Sequence, residues 1–407
     1  MHSDCIILGG GASGLAACAA LAASGMRITL IERLDRVGKK IMASGNGRCN
    51  LSNTDMAASH YGSAAPFVAK VYEKTPPEEV LDFFNALGLM TSSEDGRIYP
   101  RTMMASSVLD VLRAACERDN VTLLTGEEAV SLTPSRRSGW SVQLSSGEGV
   151  FAPIVLCAMG GCASPHLGTD GAGVRLLETL GHSAGRQVPA LVQLRCDHGA
   201  LRSLKGVRVQ AALTLEIGGC TAAQETGELL FADYGVSGVC VFQLSGLAAQ
   251  ALDAKKRVRL LVNLLPEVKD VHVWLHARIA AHPAHTALGL FTGVFPRLLS
   301  MAILKEAAIS PESAVSRLSG AQLHALEESI SRFALPVTGT QGFKNAQVTR
   351  GGIALDEVDP LTMASRLFDG LYILGETLDV DGPCGGYNLH FAFAGALTAA
   401  KDILAKL

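Results

Sequence analysis

Short apolar runs divide this chain and predict an α/β fold. Cys5–Leu8 is apolar and rich in β-branched residues, as expected for a buried parallel strand. Small residues from Ala12 to about Ser24 predict a helix that ends at Gly25, and residues 27–31 predict a second strand. Further strands are predicted at 121–124, 127–132, 140–144, 154–158, 351–355 and 371–374. Further helices are predicted at 76–87, 106–118 and 391–400.

A glycine motif joins the first strand to the first helix. Gly9 permits a tight turn, Gly11 lets the backbone approach a pyrophosphate, and Gly14 lets the helix pack closely on the strand. Ser13 lies in the same turn, at the helix N-terminus that faces the phosphates. Glu32 ends the second strand, where a carboxylate can accept hydrogen bonds from a ribose and disfavours a 2′-phosphate. The motif predicts a dinucleotide site and leaves FAD and NAD open.

A polar loop follows the ribose-binding acid. Residues 33–53 are too rich in Gly, Asn and Ser for a regular element, and their backbone N–H groups are expected to face a polar ligand. Lys40 and Arg48 add positive charge near the pyrophosphate end. The other predicted cofactor contacts in this loop are Ser44, Gly45, Gly47, Cys49 and Asn50.

Two later segments extend the predicted cofactor site. The strand at 154–158 ends in Ala158 and leads to Gly160 and Gly161, where small residues let the backbone lie against a cofactor. This segment resembles the A-T-G-G element of flavoproteins with two dinucleotide folds, although Met159 replaces the threonine. By analogy with the same general fold, the segment around Val130 is expected beside the adenine.

The C-terminal segment returns to the cofactor and favours FAD over NAD. A buried strand at 371–374 leads to Glu376 and Asp379, and a glycine-rich loop precedes the last helix. The helix N-terminus is expected to point its dipole at the flavin edge where negative charge grows on reduction. The predicted contacts from this loop are Gly385, Gly386, Tyr387 and Asn388.

The pattern changes near residue 188 and predicts a β-rich domain with a helical insertion. Strands are predicted at 191–196, 207–217, 228–232, 237–245, 260–264 and 333–337. The FAD-binding domain is predicted at 1–187 and 346–407, the β-rich, barrel-like substrate domain at 188–265 and 333–345, and the helical insertion at 266–332. No G-x-G-x-x-G occurs between 188 and 349, so no second dinucleotide-binding domain is expected.

Composition narrows the function. Hydrophobic residues make up 48% of the 407 residues, and the net charge of −3 gives no support for binding nucleic acid or an anionic membrane. The ten cysteines lack C-x-x-C spacing, as is typical of reduced thiols in the cytoplasm. We therefore expect a cytoplasmic protein, with its oligomeric state left open.

Two segments, and also residues 225–245, resemble a known family. "GKKIMASGNGRCNLSN" at 38–53 and residues 348–400 are similar to signatures of bacterial FAD-dependent oxidoreductases that include putative aminoacetone oxidases and BaiN-like (YhiN-like) flavoproteins. The resemblance implies a Rossmann-like FAD domain, non-covalent FAD and either enone-type double-bond reduction or amine oxidation. The substrate is expected to be a small apolar or amphipathic molecule that enters where the inserted domains cover the flavin. The alternative is a regulatory or RNA-associated flavoprotein without a metabolic substrate.

No catalytic residue is assigned from the sequence. Tyr387, His390 and Cys384 are candidates, and each also has a structural interpretation as a packed side chain. No metal site is predicted, because the histidines at 272, 276, 282 and 285 are interpreted as exposed helix residues. NADH or NADPH is a candidate transient reductant without a nucleotide domain of its own.

Overall fold

The computed structural model describes residues 1–135 and 139–407. The chain divides into two compact units, Met1–Gln187 with Gln347–Leu407 and Val188–Ala346. The helical segment at 266–332 lies in the second unit, together with the β-rich segments that flank it.

Strands and helices follow one another closely along the chain. Up to residue 187 they are β1 Cys5–Leu8, α1 Ala12–Ala22, β2 Ile28–Glu32, α2 Lys39–Ala43, β3 Ser52–Asn53, α3 Ala65–Lys74, α4 Pro77–Ala86, β4 Thr91–Glu94, β5 Arg97–Pro100, α5 Ala105–Cys116, β6 Val121–Thr125, β7 Ala129–Pro134, β8 Trp140–Leu144, β9 Gly149–Ala152, β10 Ile154–Cys157 and α6 Ala172–Leu180. The second unit contains β11 Val188–Ala190, β12 Leu194–Cys196, α7 Leu201–Leu204, β13 Arg208–Ile217, β14 Cys220–Ala232, β15 Gly235–Ser237, α8 Val239–Asp253, β16 Val258–Asn263, α9 Val271–Ala281, α10 Arg297–Glu306, α11 Gly320–Ser331 and β17 Phe333–Thr340. The chain ends with β18 Val348–Arg350, β19 Leu371–Ile373 and α12 Tyr387–Ala405.

A parallel sheet forms the centre of the first unit. Its strand order is β19-β10-β1-β2-β6, and Cys5 in β1 pairs with Ile154 on one side and Ile28 on the other. All four residues of β1 are buried, as expected for a central parallel strand whose two faces are both covered. Helices α1 and α12 pack against each other, and both contain buried alanines such as Ala16 and Ala396. The predicted Rossmann-like α/β fold is confirmed.

A closed antiparallel barrel forms much of the second unit. Its strand order is β12-β15-β14-β13-β16-β17. Alternate residues along β13, such as Leu213 and Leu215, are buried or partly buried, and Leu229 and Leu260 on neighbouring strands belong to the same apolar core. This alternation is typical of a strand with one face toward a core. The predicted barrel-like β-rich segment is thereby confirmed.

The strand predicted at 237–245 is wrong, because this segment lies mostly within α8. Cys240, Val241, Leu244 and Ser245 are all buried, so the helix has no polar stripe from which a helical period can be recognised. Gly238 precedes the helix with a φ of 121°. A buried apolar run of this kind is ambiguous between strand and helix.

Three other predictions need correction in the first unit. The loop predicted at 33–53 contains the short helix α2 and the two-residue strand β3. The segment predicted as a strand at 351–355 is irregular, with isolated bridges at Ile353. Helix α12 begins at Tyr387 rather than at Phe391, so Tyr387 and Asn388 belong to its first turn.

Among the described residues, no helix combines the length and the apolar character needed to cross a membrane.

Candidate functional site

The carboxyl ends of the parallel strands meet at one edge of the central sheet. Gly9 follows β1, and its N–H donates to Ile31 O at 2.8 Å. Ala158 follows β10, and its N–H donates to Leu8 O at 2.8 Å. A side chain at Gly9 would place its Cβ only 2.4 Å from Ala158 O. Glycine is therefore required where these two chain segments pass, and the edge is where open α/β sheets bind ligands.

The glycines of the first turn differ in what surrounds them. A Cβ at Gly14 would lie 1.9 Å from Gly9 O, so this position serves the packing of helix on strand. A Cβ at Gly11 would have no neighbouring atom within 4 Å. Gly11 is also the N-cap of α1 and brings no side chain to the first N–H groups of the helix. Open space beside uncapped N–H groups fits a pyrophosphate.

Glu32 fixes the geometry of the glycine turn. Its Oε2 accepts a hydrogen bond from Gly10 N at 2.9 Å, and its Oε1 accepts one from Leu34 N at 2.9 Å. The residue is 9% exposed at the end of β2. Each carboxylate oxygen can accept a further hydrogen bond, so the predicted contact with a ribose is compatible with these two bonds.

Lys40 and Glu376 join the two ends of the chain. Lys40 Nζ lies 2.7 Å from Glu376 Oε2, and Thr349 N donates to Glu376 Oε1 at 2.8 Å. Thr349 Oγ1 accepts hydrogen bonds from the N–H groups of Cys162 and Ala163. These contacts place the loop after β10, the segment after β19 and the start of α2 together. Thr349 is not recognisable as a site residue from the sequence, because a single threonine in a short strand carries no distinctive signal.

Further predicted residues lie close to the segment that carries Glu376. A Cβ at Gly161 would lie 2.5 Å from Thr349 Oγ1 and 2.9 Å from Glu376 Oε1. A Cβ at Gly375 would lie 2.8 Å from Ser13 Oγ. Gly160 has a φ of 73°, which favours glycine. The structure therefore brings together the predicted residues of the first helix, the loop after β10 and the C-terminal segment.

The loop at 44–50 is held by its own backbone and side chains. Gly45, Asn46 and Gly47 have positive φ values, and Cys49 N donates to Ser44 O at 3.0 Å. Asn50 Nδ2 donates to Ser52 O at 2.8 Å and to Ile98 O at 3.0 Å. These interactions fix a shape that a flexible surface loop would lack.

Cys49 is buried, and desolvation raises the pKa of its thiol to about 11. A thiol with a raised pKa is a poor nucleophile, so a packed neutral side chain fits this position better than a redox role.

Arg48 and Val130 are two further predicted contacts of the cofactor. Arg48 Nη1 pairs with Glu94 Oε2 at 3.1 Å, and its guanidinium lies 4.7 Å from the centre of the Tyr99 ring. Val130 is 51% exposed on β7. The chain just before Val130 is tied to the end of β2, because Glu127 N donates to Glu32 O at 3.2 Å. Cofactor contacts of Arg48 and Val130 stay predictions.

Asp379 and Arg350 form hydrogen bonds within the C-terminal segment. Asp379 Oδ1 accepts a hydrogen bond from Gly351 N at 2.9 Å, and burial raises the pKa of its carboxyl group. Arg350 Nε donates to both oxygens of Asp381, at 3.0 and 3.1 Å. No local sequence pattern links Arg350 to Asp381, because 31 positions separate them in the chain.

The glycine-rich loop before α12 is locked in place. Asn388 Oδ1 accepts from Gly382 N at 2.8 Å, and its Nδ2 donates to Gly382 O at 2.8 Å. Asn53 Nδ2 donates to Gly385 O at 2.9 Å. A Cβ at Gly386 would lie 2.2 Å from Ser52 O, so the glycine pair brings this loop against β3. The amide of Asn388 thus closes the loop, and a direct cofactor contact stays a prediction.

His390 is enclosed by the first unit. Its side chain is fully buried, its Nδ1 lies 2.8 Å from Ser52 Oγ, and desolvation lowers the pKa of the imidazole to about 3. Tyr72 packs edge-on against this ring at 5.6 Å between centroids. His390 Nε2 has no hydrogen-bond partner among the described residues. The imidazole is therefore neutral near pH 7.

The other two catalytic candidates are more accessible than His390. The backbone carbonyl of Tyr387 accepts a hydrogen bond from Tyr61 OH at 2.8 Å, and burial raises the pKa of the Tyr387 phenol. Cys384 is half-buried in the loop before α12. Neither observation assigns a catalytic role.

The relatives of this chain decide its family. The HI0933-like protein Rossmann domain matches residues 3–402. The 3-dehydro-bile acid delta(4,6)-reductase of Clostridium scindens is 39% identical over 97% of both chains. The chain belongs to the HI0933-like Rossmann family. A ribosomal RNA dihydrouridine synthase of Escherichia coli is 30% identical. The alignment covers 99% of this chain and 98% of the relative.

The fold comparison agrees with this family. The 3-ketosteroid delta1-dehydrogenase of Sterolibacterium denitrificans is 14% identical, with a TM-score of 0.52 and full coverage of both chains. At this identity the likeness shows the fold alone. The resemblance drawn from the two signature segments is confirmed, and so is the prediction of an FAD-dependent oxidoreductase at the level of its class.

Proposed function

We propose that this protein reduces a carbon–carbon double bond conjugated to a carbonyl group, with a steroid-like enone as the first candidate substrate. The observation that carries this proposal is the 39% identity to a bile-acid reductase across 97% of both chains. Similarity along the whole length includes both units, so it is not limited to the common dinucleotide-binding fold.

The bound flavin, in its reduced form, would supply the hydride for such a reduction, and an external two-electron donor such as NADH or NADPH would have to reduce it again. The residues that fit the cofactor are those of the sheet edge. Gly11 and the start of α1 suit the pyrophosphate, and Glu32 suits the ribose. Lys40 and Glu376 support the loops between them. In the C-terminal segment, α12 begins with Gly386 as its N-cap, so its uncapped N–H groups offer partial positive charge.

A second candidate substrate is a uridine within ribosomal RNA. The Escherichia coli relative named for that activity is 30% identical over 99% of this chain. Uridine also carries a double bond conjugated to a carbonyl, so both candidates require the same class of hydride transfer. The net charge of −3 does not favour a large nucleic acid, and we rank this candidate below the steroid-like enone.

The experiment is an anaerobic reoxidation of the reduced protein. Purified protein is photoreduced, and its flavin absorbance is followed after mixing with a 3-oxo-Δ4 steroid, a uridine-containing ribosomal RNA fragment or buffer alone. Rapid reoxidation by the steroid with formation of the saturated product supports the first candidate. Reoxidation by RNA alone favours the second.

The same preparation tests the opposite direction of reaction. Oxidised protein is mixed anaerobically with a panel of primary amines and with NADH or NADPH. Flavin reduction by amines, without reoxidation by either double-bond substrate, would overturn the proposal in favour of an amine oxidase. NADH and NADPH remain proposed reductants, and we expect weak saturation because only one glycine-rich dinucleotide motif is present.

A further inference from the structure

A cluster of histidines surrounds one carboxylate in the second unit, far along the chain from the residues of the cofactor site. His272 and His276 lie one helical turn apart on α9, and Glu327 lies on the neighbouring helix α11. One ligand atom from each residue can be chosen so that all three atoms lie within 4.8 Å of one another. His272 Nδ1 lies 2.8 Å and His276 Nε2 lies 3.8 Å from Glu327 Oε1.

A third histidine faces the same carboxylate. His324 Nδ1 lies 3.9 Å from Glu327 Oε2. The side chain of Glu327 is 15% exposed, whereas those of His272 and His276 are 62% and 47% exposed. The carboxylate is therefore much less exposed than the imidazoles that lie beside it. Among the described residues, no lysine or arginine lies within ion-pair distance of this carboxylate.

We propose that His272, His276 and Glu327 bind a divalent transition-metal ion of the zinc class, with His324 or water completing the coordination. Neutral imidazole and carboxylate are the ligands that such ions accept, and two histidines four positions apart on a helix present their rings on one face. The rings of His272 and His276 are 4.4 Å apart between centroids.

The distances suit such an ion after small side-chain rotations. Zinc bonds to nitrogen and oxygen are about 2.0–2.2 Å, which places tetrahedral ligand atoms about 3.3–3.6 Å apart. The separation of 2.8 Å between His272 and Glu327 would open slightly, and that of 3.8 Å between His276 and Glu327 would close slightly. The widest separation among the three ligand atoms is up to 4.8 Å, so the two imidazoles would also have to move closer together.

The helices that carry these ligands are firmly positioned. Asp270 caps α9 by accepting a hydrogen bond from Val273 N at 2.9 Å, and Ser319 and Gln322 form a capping box at the start of α11. Leu275 on α9 and Leu326 on α11 are fully buried in one core. A metal ion would therefore bridge two helices that are already in contact, and it should act as a structural clamp within this unit.

The proposal stands apart from the proposed reductase activity, so its test uses binding and stability rather than turnover. Untagged holoprotein is stripped of metals with a chelator and titrated with Zn²⁺ by calorimetry, with Mg²⁺ as a hard-cation control. We expect one Zn²⁺ per chain and no Mg²⁺ binding at this site. Zn²⁺ should also raise the thermal unfolding temperature.

His276→Ala and Glu327→Gln are the test variants, and His282→Ala is the matched control. His282 is also exposed near the end of α9, but it stacks on His285 at 4.7 Å outside the cluster. Loss of an outer-shell partner typically weakens metal binding by about 10–100-fold, so loss of a ligand should weaken it by at least about tenfold. The control should bind Zn²⁺ as the unaltered protein does.

Cys220 is exposed and could bind Zn²⁺ independently, so Cys220→Ser accompanies the titrations. The proposal is overturned if His276→Ala and Glu327→Gln retain the unaltered affinity, or if only Cys220→Ser lowers it. If one cluster variant fails to fold, the other carries the same test, since they change residues on different helices.

Discussion

Lys40 Nζ and Glu376 Oε2 form an ion pair at 2.7 Å, although 336 residues separate them in the chain. Their side chains are 25% and 20% exposed, so solvent screens the pair less than it screens a surface pair. Glu376 also accepts a hydrogen bond from Thr349 N, and Lys40 lies in the first turn of α2. The pair therefore fastens the C-terminal segment to the N-terminal part of the site.

We expect Lys40→Met to destabilise the FAD-free protein by on the order of 1–3 kcal/mol, between the values typical of exposed and buried pairs. The loss follows because the Glu376 carboxylate keeps its partly buried position without its cation. Urea unfolding measures this change. Lys70→Met is the control, since Lys70 pairs with Glu73 at 2.8 Å on the exposed surface and should change stability by less than about 1 kcal/mol.

A double-mutant cycle with Glu376→Gln measures the coupling energy between Lys40 and Glu376 apart from the effect of each single substitution. If the effects of Lys40→Met and Glu376→Gln add without a coupling energy, the ion pair contributes nothing specific to stability.

The glycines of the first turn should respond differently to alanine. Gly14→Ala would set a Cβ 1.9 Å from Gly9 O, so we expect the FAD-free protein to lose about 1–3 kcal/mol of stability. Gly11→Ala meets no atom within 4 Å, and we expect a change below about 1 kcal/mol from the poorer N-cap. Urea unfolding of the FAD-free variants compares the two.

FAD titration completes this comparison. Gly11→Ala should bind FAD roughly tenfold or more weakly, which corresponds to a loss of about 1.4 kcal/mol of backbone–phosphate interaction. FAD affinity that is unchanged in Gly11→Ala would show that the open space beside Gly11 does not receive the pyrophosphate.

Glu32→Gln should destabilise the protein even when no FAD is bound. The carboxylate accepts from Gly10 N and Leu34 N, whereas the amide of glutamine has one accepting oxygen and one donating nitrogen. One of the two backbone donors would then face another donor. We expect a loss of about 1.5–3 kcal/mol, the value typical of a hydrogen bond to a charged group.

The control for this substitution is Glu117→Gln, because Glu117 is exposed. Equal unfolding curves for the two variants would contradict the structural role assigned to Glu32. A further drop in FAD affinity for Glu32→Gln alone would support the predicted ribose contact.

The sequence predicts the sheet and the first turn well because their signals are local. An apolar run such as Cys5–Leu8 and the glycines that follow it specify a buried strand and a tight turn within a few residues. The register of Lys40 against Glu376 depends on how distant segments fold together, and no local pattern encodes it. Helix α8 was not predicted for a different reason. Its burial removes the polar face by which a helix is recognised in a sequence. The histidine cluster likewise needed α11 to bring Glu327 beside His272.

His390 should make the stability of the protein depend on pH. Its pKa is lowered to about 3 in the folded protein by burial, whereas an unfolded histidine has an ordinary pKa of about 6.5. Between these values the unfolded chain binds a proton that the folded protein does not, so stability falls as the pH falls. Above about pH 6.5 both states are neutral at this residue, and its neutral burial carries no such penalty. The slope approaches about 1.4 kcal/mol per pH unit between the two pKa values.

Urea unfolding of the unaltered protein and of His390→Asn at pH 7 and pH 5 isolates this effect, because the carboxylates contribute equally to both proteins. Asparagine cannot titrate in this range and can still form a hydrogen bond near Ser52 Oγ. We expect the stability lost between pH 7 and pH 5 to be about 2 kcal/mol smaller in the variant. His166→Asn, at an exposed position, should lose as much stability as the unaltered protein. An equal pH dependence in His390→Asn and the unaltered protein would mean that the imidazole becomes protonated in the folded state, and that its burial does not exclude the charge.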